Sequence, residues 1–104
     1  MSTEVVTTFL QEGVIQATWN NLQAAEDGAA ASLSKWPNKS VQVVGGTIDI
    51  EGSNDGVVWA PLNDPFGAAL TTLVNGSING IAENTKFIRP ANASAALVVT
   101  IIGS

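Results

Sequence analysis

Apolar and polar positions alternate along much of this chain with a period of two, the pattern of strands that bury one face. Val14, Gln16 and Thr18 alternate with Ile15, Ala17 and Trp19, and Ser40 to Val44 reads Ser-Val-Gln-Val-Val. Ile48 and Ile50 alternate with Thr47, Asp49 and Glu51, followed by Gly52-Ser53-Asn54-Asp55-Gly56 and then Val57, Val58 and Trp59. Asparagine, aspartate and glycine tolerate left-handed backbone, so residues 48 to 59 are expected to form a hairpin. Further strands are expected over Ala68 to Val74, over Lys86 to Pro90 and over Ala96 to Ile102. Val5, Val6, Phe9 and Leu10 stand among threonines, as either a first strand or an ordered arm.

Turn chemistry separates these runs. Gln11-Glu12-Gly13, Trp36-Pro37-Asn38-Lys39, Gly45-Gly46, Asn63 to Gly67 and Asn75-Gly76 all punctuate the chain. Gln23 to Ser34 is alanine-rich but poorly periodic, and reads as a long loop with one helical turn at most. Ser77 to Glu83 is ambiguous, because Ile78 and Ile81 lie three apart. Roughly seven to eight short strands with regular turns predict an all-β fold, an antiparallel β-sandwich or small barrel. Residues 1–13 are the arm or first strand, and 14–104 the sandwich.

Composition narrows the chemistry. The chain has 104 residues, 45% of them apolar and 12% charged, with a net charge of -5. So few charges suggest that part of the surface is covered by a partner or by copies of the chain. The four basic residues, Lys35, Lys39, Lys86 and Arg89, form no stripe, which disfavours nucleic acid. No apolar run approaches the roughly 20 residues that span a bilayer, and no membrane partner is expected. The first residues lack a secretory pattern, which points to synthesis in the cytoplasm. There is no cysteine and no histidine. Disulfides, thiolate nucleophiles and the commonest general base are thereby removed, so enzymatic activity is not expected and no cofactor is implied.

Asp49, Glu51, Asp55 and Asp64 are hard oxygen donors near one another in sequence, the type calcium takes. Against this, an EF-hand needs glycine at the sixth loop position, where Asn54 stands counting from Asp49. The favoured reading is therefore a solvated strand face followed by turn residues. Trp19 and Trp59 are expected as core anchors, since each ends or sits in an alternating run. Trp36 lies in a loop, as a contact residue or a lid over the core. Arg89 offers a planar donor fork to a fixed carboxylate such as Glu83, or to a neighbouring subunit.

Read as an ordered series, Trp19-x-x-Leu22, Asp27-Gly28, Ser40-Val41-Gln42-Val43, Gly52-Ser53-Asn54-Asp55-Gly56-x-x-Trp59, Leu62-x-Asp64-Pro65 and Arg89-Pro90 resembles a family of small virion proteins of tailed bacteriophages. The resemblance covers residues 18 to 102 and implies a structural role as a capsid decoration (cement) protein. It further implies the virion surface as location, the major capsid protein as partner and a homo-oligomer, with a trimer favoured. Under it, the partner contacts would come from Val5, Val6, Phe9, Leu10, Trp36 and Arg89. Two other readings stand beside it. One is a carbohydrate-binding module with a discoidin-like hairpin, drawing on the three tryptophans; the other is a tail or baseplate accessory protein.

Overall fold

Nine antiparallel strands form two sheets in the computed structural model, which describes residues 3–104. The strands are β1 (Val5–Gln11), β2 (Val14–Leu22), β3 (Ala31–Ser32), β4 (Lys39–Val44), β5 (Asp49–Ser53), β6 (Ala60–Pro61), β7 (Ile78–Ile81), β8 (Phe87–Ala91) and β9 (Leu97–Gly103). One sheet has the order β1-β2-β9-β4-β7, the other β3-β8-β5-β6. The expected all-β sandwich is what the chain forms.

The alternation seen in the sequence is the burial pattern of the strands. Ile15, Ala17 and Trp19 of β2, Val41 and Val43 of β4, and Leu97, Val99 and Ile101 of β9 face the second sheet and are buried. Ile50 of β5 and Ile88 of β8 meet them from the other side, with Leu33, Ile48, Leu62 and Leu70 supplied by connecting segments. Burying such side chains contributes about 1.5–3 kcal/mol each. The interior is filled by these side chains, and no pocket opens among the described residues.

Three segments depart from expectation, each for a local reason. The run Val57-Val58-Trp59 does not continue the hairpin as a strand; β6 is only Ala60–Pro61. The Asp55 carboxylate accepts the backbone N–H groups of Val57 at 2.8 Å and Val58 at 2.9 Å, so they are spent on the turn and not on a ladder. Those bonds, that of Val57 foremost, hold the Asp55 pKa below the ordinary aspartate value. Ala68 to Val74 forms two isolated bridges, Asn63 with Ala69 and Ile48 with Leu73, and no strand. Thr72 has φ 53°, a left-handed conformation strained for a β-branched residue, and its N–H is held by Asp49 Oδ1 at 2.7 Å. Ile78 to Ile81 is a strand, not a helical turn, because it pairs with β4.

Pro90 was expected to end a strand and instead lies inside β8, opposite Ile50. Its carbonyl accepts the Gly28 N–H at 2.8 Å, so its nitrogen also faces the loop side. β3 pairs only with Phe87 and Ile88, and no ladder bond to Pro90 is missing.

Candidate functional site

The chemistry-bearing residues are spent on holding the fold. Arg89 and Glu51 sit opposite each other on β8 and β5, with Arg89 Nη2 and Nε donating to Glu51 Oε1 at 2.9 and 3.1 Å. Asp27 Oδ2 lies 3.7 Å from the same guanidinium, and the Trp59 ring lies beneath it at 4.3 Å. The carboxylate expected for Arg89 is thus Glu51, not Glu83. Glu83 accepts from the backbone N–H and side-chain amide of Asn63, both at 2.7 Å. Burial opposes the ionisation of Glu83, but those two bonds outweigh it and its pKa is lowered.

The four acidic residues of interest do not converge. Asp49 serves Thr72 and Asn92, Glu51 serves Arg89, Asp55 caps the β5–β6 turn, and Asp64 accepts the N–H groups of Phe66 and Ala68. No group of three His, Cys, Asp or Glu residues is arranged around a point among the described residues. Trp59 is also not a core anchor: it is half-buried against Arg89, whereas Trp19 is fully buried.

Lys39 is the buried cation, 6% exposed, on the inner face of β4. Its ammonium donates to the Trp36 carbonyl and to Asn84 Oδ1, both at 2.6 Å, which are neutral acceptors. Desolvation lowers its pKa below the ordinary lysine value. The unfolded chain therefore holds the proton more tightly, and stability rises with pH from the folded-state value up to 10.5. Thermal melts through that alkaline window should show the rise, and Lys39→Met should flatten it.

What remains available is a surface. Within β1, β2, β4, β7 and β9, Lys39 is the only charged residue, and it points inward. The outer face of the five-stranded sheet is consequently uncharged. One row crosses all five strands as Val6, Thr18, Thr100, Gln42 and Ile78, read from the pairings of β1 with β2, β2 with β9, β9 with β4 and β4 with β7. The next row is Thr8, Gln16, Ile102, Ser40 and Gly80. By contrast, β5 and β8 carry Asp49, Glu51 and Arg89 on the other sheet.

β1 and the four-residue β7 are the two edges of this face, and β1 is the longer. Five of the six residues expected to make partner contacts lie at this side of the molecule or against it. Val5 is half-buried and packs on the core, Val6 is on the outer face, and Leu10 sits at the irregularity between Phe9 and Gln11. Phe9 is 73% exposed, with its ring 6.1 Å from that of Trp36. Trp36 itself packs partly on the core. Arg89 is separate, on the second sheet. The start of the strand is tied down, since Thr3 bridges to Gly28, its carbonyl accepts Ala29 N–H at 2.7 Å, and its hydroxyl donates to Glu26. Ser2, also placed in the expected arm, lies outside the described residues.

No family model and no curated protein matches this sequence. Solved structures do match in fold. A cupin domain from Bordetella pertussis Tohama I superposes with TM-score 0.55 and 11% identity, over 99% of this chain and 95% of that one. The likeness is to cupins. An RmlC-like cupin protein from Desulfovibrio desulfuricans gives TM-score 0.54 and 12% identity, over 96% and 82%. A Neisseria meningitidis protein gives 0.54 and 13%, over 100% and 87%. At such identities the agreement concerns the cupin-like β-sandwich and nothing finer.

These neighbours overturn the expectation of a bacteriophage capsid decoration protein. Two of the three are described as cupin or RmlC-like proteins, and none as a virion component. The physical reason is plain in the residues that carried the resemblance. Asp55-Gly56 sets a turn, Arg89 pairs across strands, and Pro90 fits a gap in the ladder. Any sandwich with this hairpin geometry asks for such residues, wherever it works.

Proposed function

We propose that this chain is a non-catalytic β-sandwich subunit that works by associating with copies of itself, and that β1 is the element that joins them. The observation that carries this reading is the unprotected edge. β1 is seven residues long and contains no charge and no proline, and Val6, Phe9 and Leu10 are solvent-exposed on it. Edge strands that must stay unpaired are normally shortened, charged or bulged away, because free N–H and C=O groups invite another strand. Glu4, Glu12 and the irregularity at Leu10 lie at the ends of this strand and leave Val5 to Phe9 open. A second copy's β1 can then continue the ladder through main-chain bonds, with Phe9 and Val6 packing across the junction.

The non-catalytic part of the reading rests on residue types. A chain without histidine or cysteine, in which Asp49, Glu51, Asp55, Asp64 and Glu83 are engaged by N–H donors or Arg89, offers no poised acid, base or nucleophile among them. The test is Phe9→Lys, which places a charge on the inward side of the edge, a device that blocks strand addition. Light scattering during gel filtration should find the unaltered protein above monomer mass and Phe9→Lys at a lower mass, with an unchanged circular dichroism spectrum showing that the variant folds. A protein that is monomeric at about 100 μM, a level where even weak specific contacts are populated, would overturn the proposal.

A further inference from the structure

We infer that the uncharged outer face of the five-stranded sheet is a second interface, on which another copy of this chain stacks sheet against sheet. The inference rests on the self-association reading and supplies what the edge lacks. A single strand of seven residues presents about 23 by 5 Å, on the order of 100 Å², whereas stable specific interfaces bury roughly 1,000 Å² or more in total. Five strands at about 4.8 Å spacing and about 20 Å long give a face of about 500 Å² per copy, so two copies reach about 1,000 Å² before side-chain relief is counted.

Charge identifies the occupant. The chain carries -5 overall, and the second sheet presents Asp49 and Glu51 with Arg89 already neutralising one of them. Two copies meeting through that side would repel. Meeting through the row Val6, Thr18, Thr100, Gln42 and Ile78, they bring no charge within the contact. Depletion of charge at the centre is the compositional mark of an interface core. A strongly acidic or basic partner would find nothing on this face to pair with, but a second identical face is complementary by symmetry. Sheets stack at about 10 Å, a spacing that valine, threonine, isoleucine and glutamine side chains fill by interdigitating. The polar members satisfy one another, as Gln16 already does by donating to Thr18 Oγ1 at 3.2 Å.

The experiment substitutes Gln42→Lys and, separately, Thr100→Lys, and measures self-association by sedimentation equilibrium beside Phe9→Lys. Like charges facing each other across a two-fold contact repel, so each face variant should weaken association by about tenfold or more. Far-ultraviolet circular dichroism and the melting temperature check that both variants fold; Gln42 is exposed and tolerates the change. Wild-type mass reduced by both the face variants and Phe9→Lys supports two interfaces. Association lost in Phe9→Lys but unchanged in both face variants overturns the inference and leaves the β1 proposal standing. A monomeric wild type overturns both.

Discussion

Replacing Trp19 by alanine should remove about 3–5 kcal/mol of stability, the usual cost of truncating a buried aromatic residue. Trp19 is 0% exposed on the inner face of β2. Its indole Nε1 donates to the Ala29 carbonyl at 2.8 Å, tying β2 to the segment that leads into the second sheet. The substitution therefore opens a cavity and leaves a carbonyl without its donor, two penalties that add. Against a total of about 5–15 kcal/mol for a domain, this is enough to populate unfolded chains at ambient temperature. Urea titration should show the midpoint falling by about 1–5 M, given slopes of about 1–3 kcal/mol per molar. Trp59→Ala is the contrast. Trp59 lies against Arg89 at the surface, and the loss of that cation–π contact should cost only about 0.5–1 kcal/mol. Equal costs at the two positions would contradict the division between them.

That division was not legible in the sequence, where both tryptophans end or sit in β-favouring runs. What decides it is the Asp55 carboxylate, which takes the N–H groups of Val57 and Val58 and turns the chain before Trp59 can enter the sheet. Alternation is a reliable guide where a strand has one covered face, as in β2, β4 and β9. It fails where a side chain outbids the ladder for backbone donors, as Asp55 does, or where Asp49 holds Thr72 in a left-handed conformation. The sandwich and the pairing of β5 with the segment ending at Pro61 were thus readable, while the two-residue β3 and the late start of β6 at Ala60 were not.

The candidate surface was half readable. With 12% charged residues, the composition supports the expectation of a face met by a partner or by another copy. Which face follows from the outward positions of the strands, since β2, β4 and β9 fill theirs with threonine, glutamine, asparagine, serine, valine and isoleucine and never with lysine or glutamate. Reading those positions needs the strand order, which places β9 between β2 and β4 and aligns Thr18, Thr100 and Gln42 in one row. Sequence separation hides that row entirely. Motif reading went astray for the opposite reason: turn and cross-strand residues stand out in a sequence but report on local geometry. The solved neighbours share the architecture at 11–13% identity, a likeness of fold alone, and a fold does not by itself carry a function.

Gly28→Ala should be the most damaging single methyl group in the protein. A Cβ built there falls 2.6 Å from Trp19 Cδ1, 2.6 Å from Pro90 Cγ and 2.8 Å from Pro90 Cδ, all in rigid, buried rings. Neither ring can swing aside, so strain of about 1–3 kcal/mol is expected. The damage should extend to β1, because Gly28 bridges to Thr3 and donates to the Pro90 carbonyl at 2.8 Å. Hydrogen exchange is expected to speed up at the start of β1, and self-association to weaken with it. The contact with Trp19 can be isolated by a double-mutant cycle. In a Trp19→Ala background one of the two clashing walls is gone, and the added methyl enters the cavity. Gly28→Ala should then cost less than in the native protein, by about 0.5–3 kcal/mol of coupling. Pro90 still stands in the way, so the second substitution should not become neutral. Strictly additive costs would mean that the Gly28 backbone shifts away from the indole, and that the close approach of this loop to β2 is not what positions the edge strand.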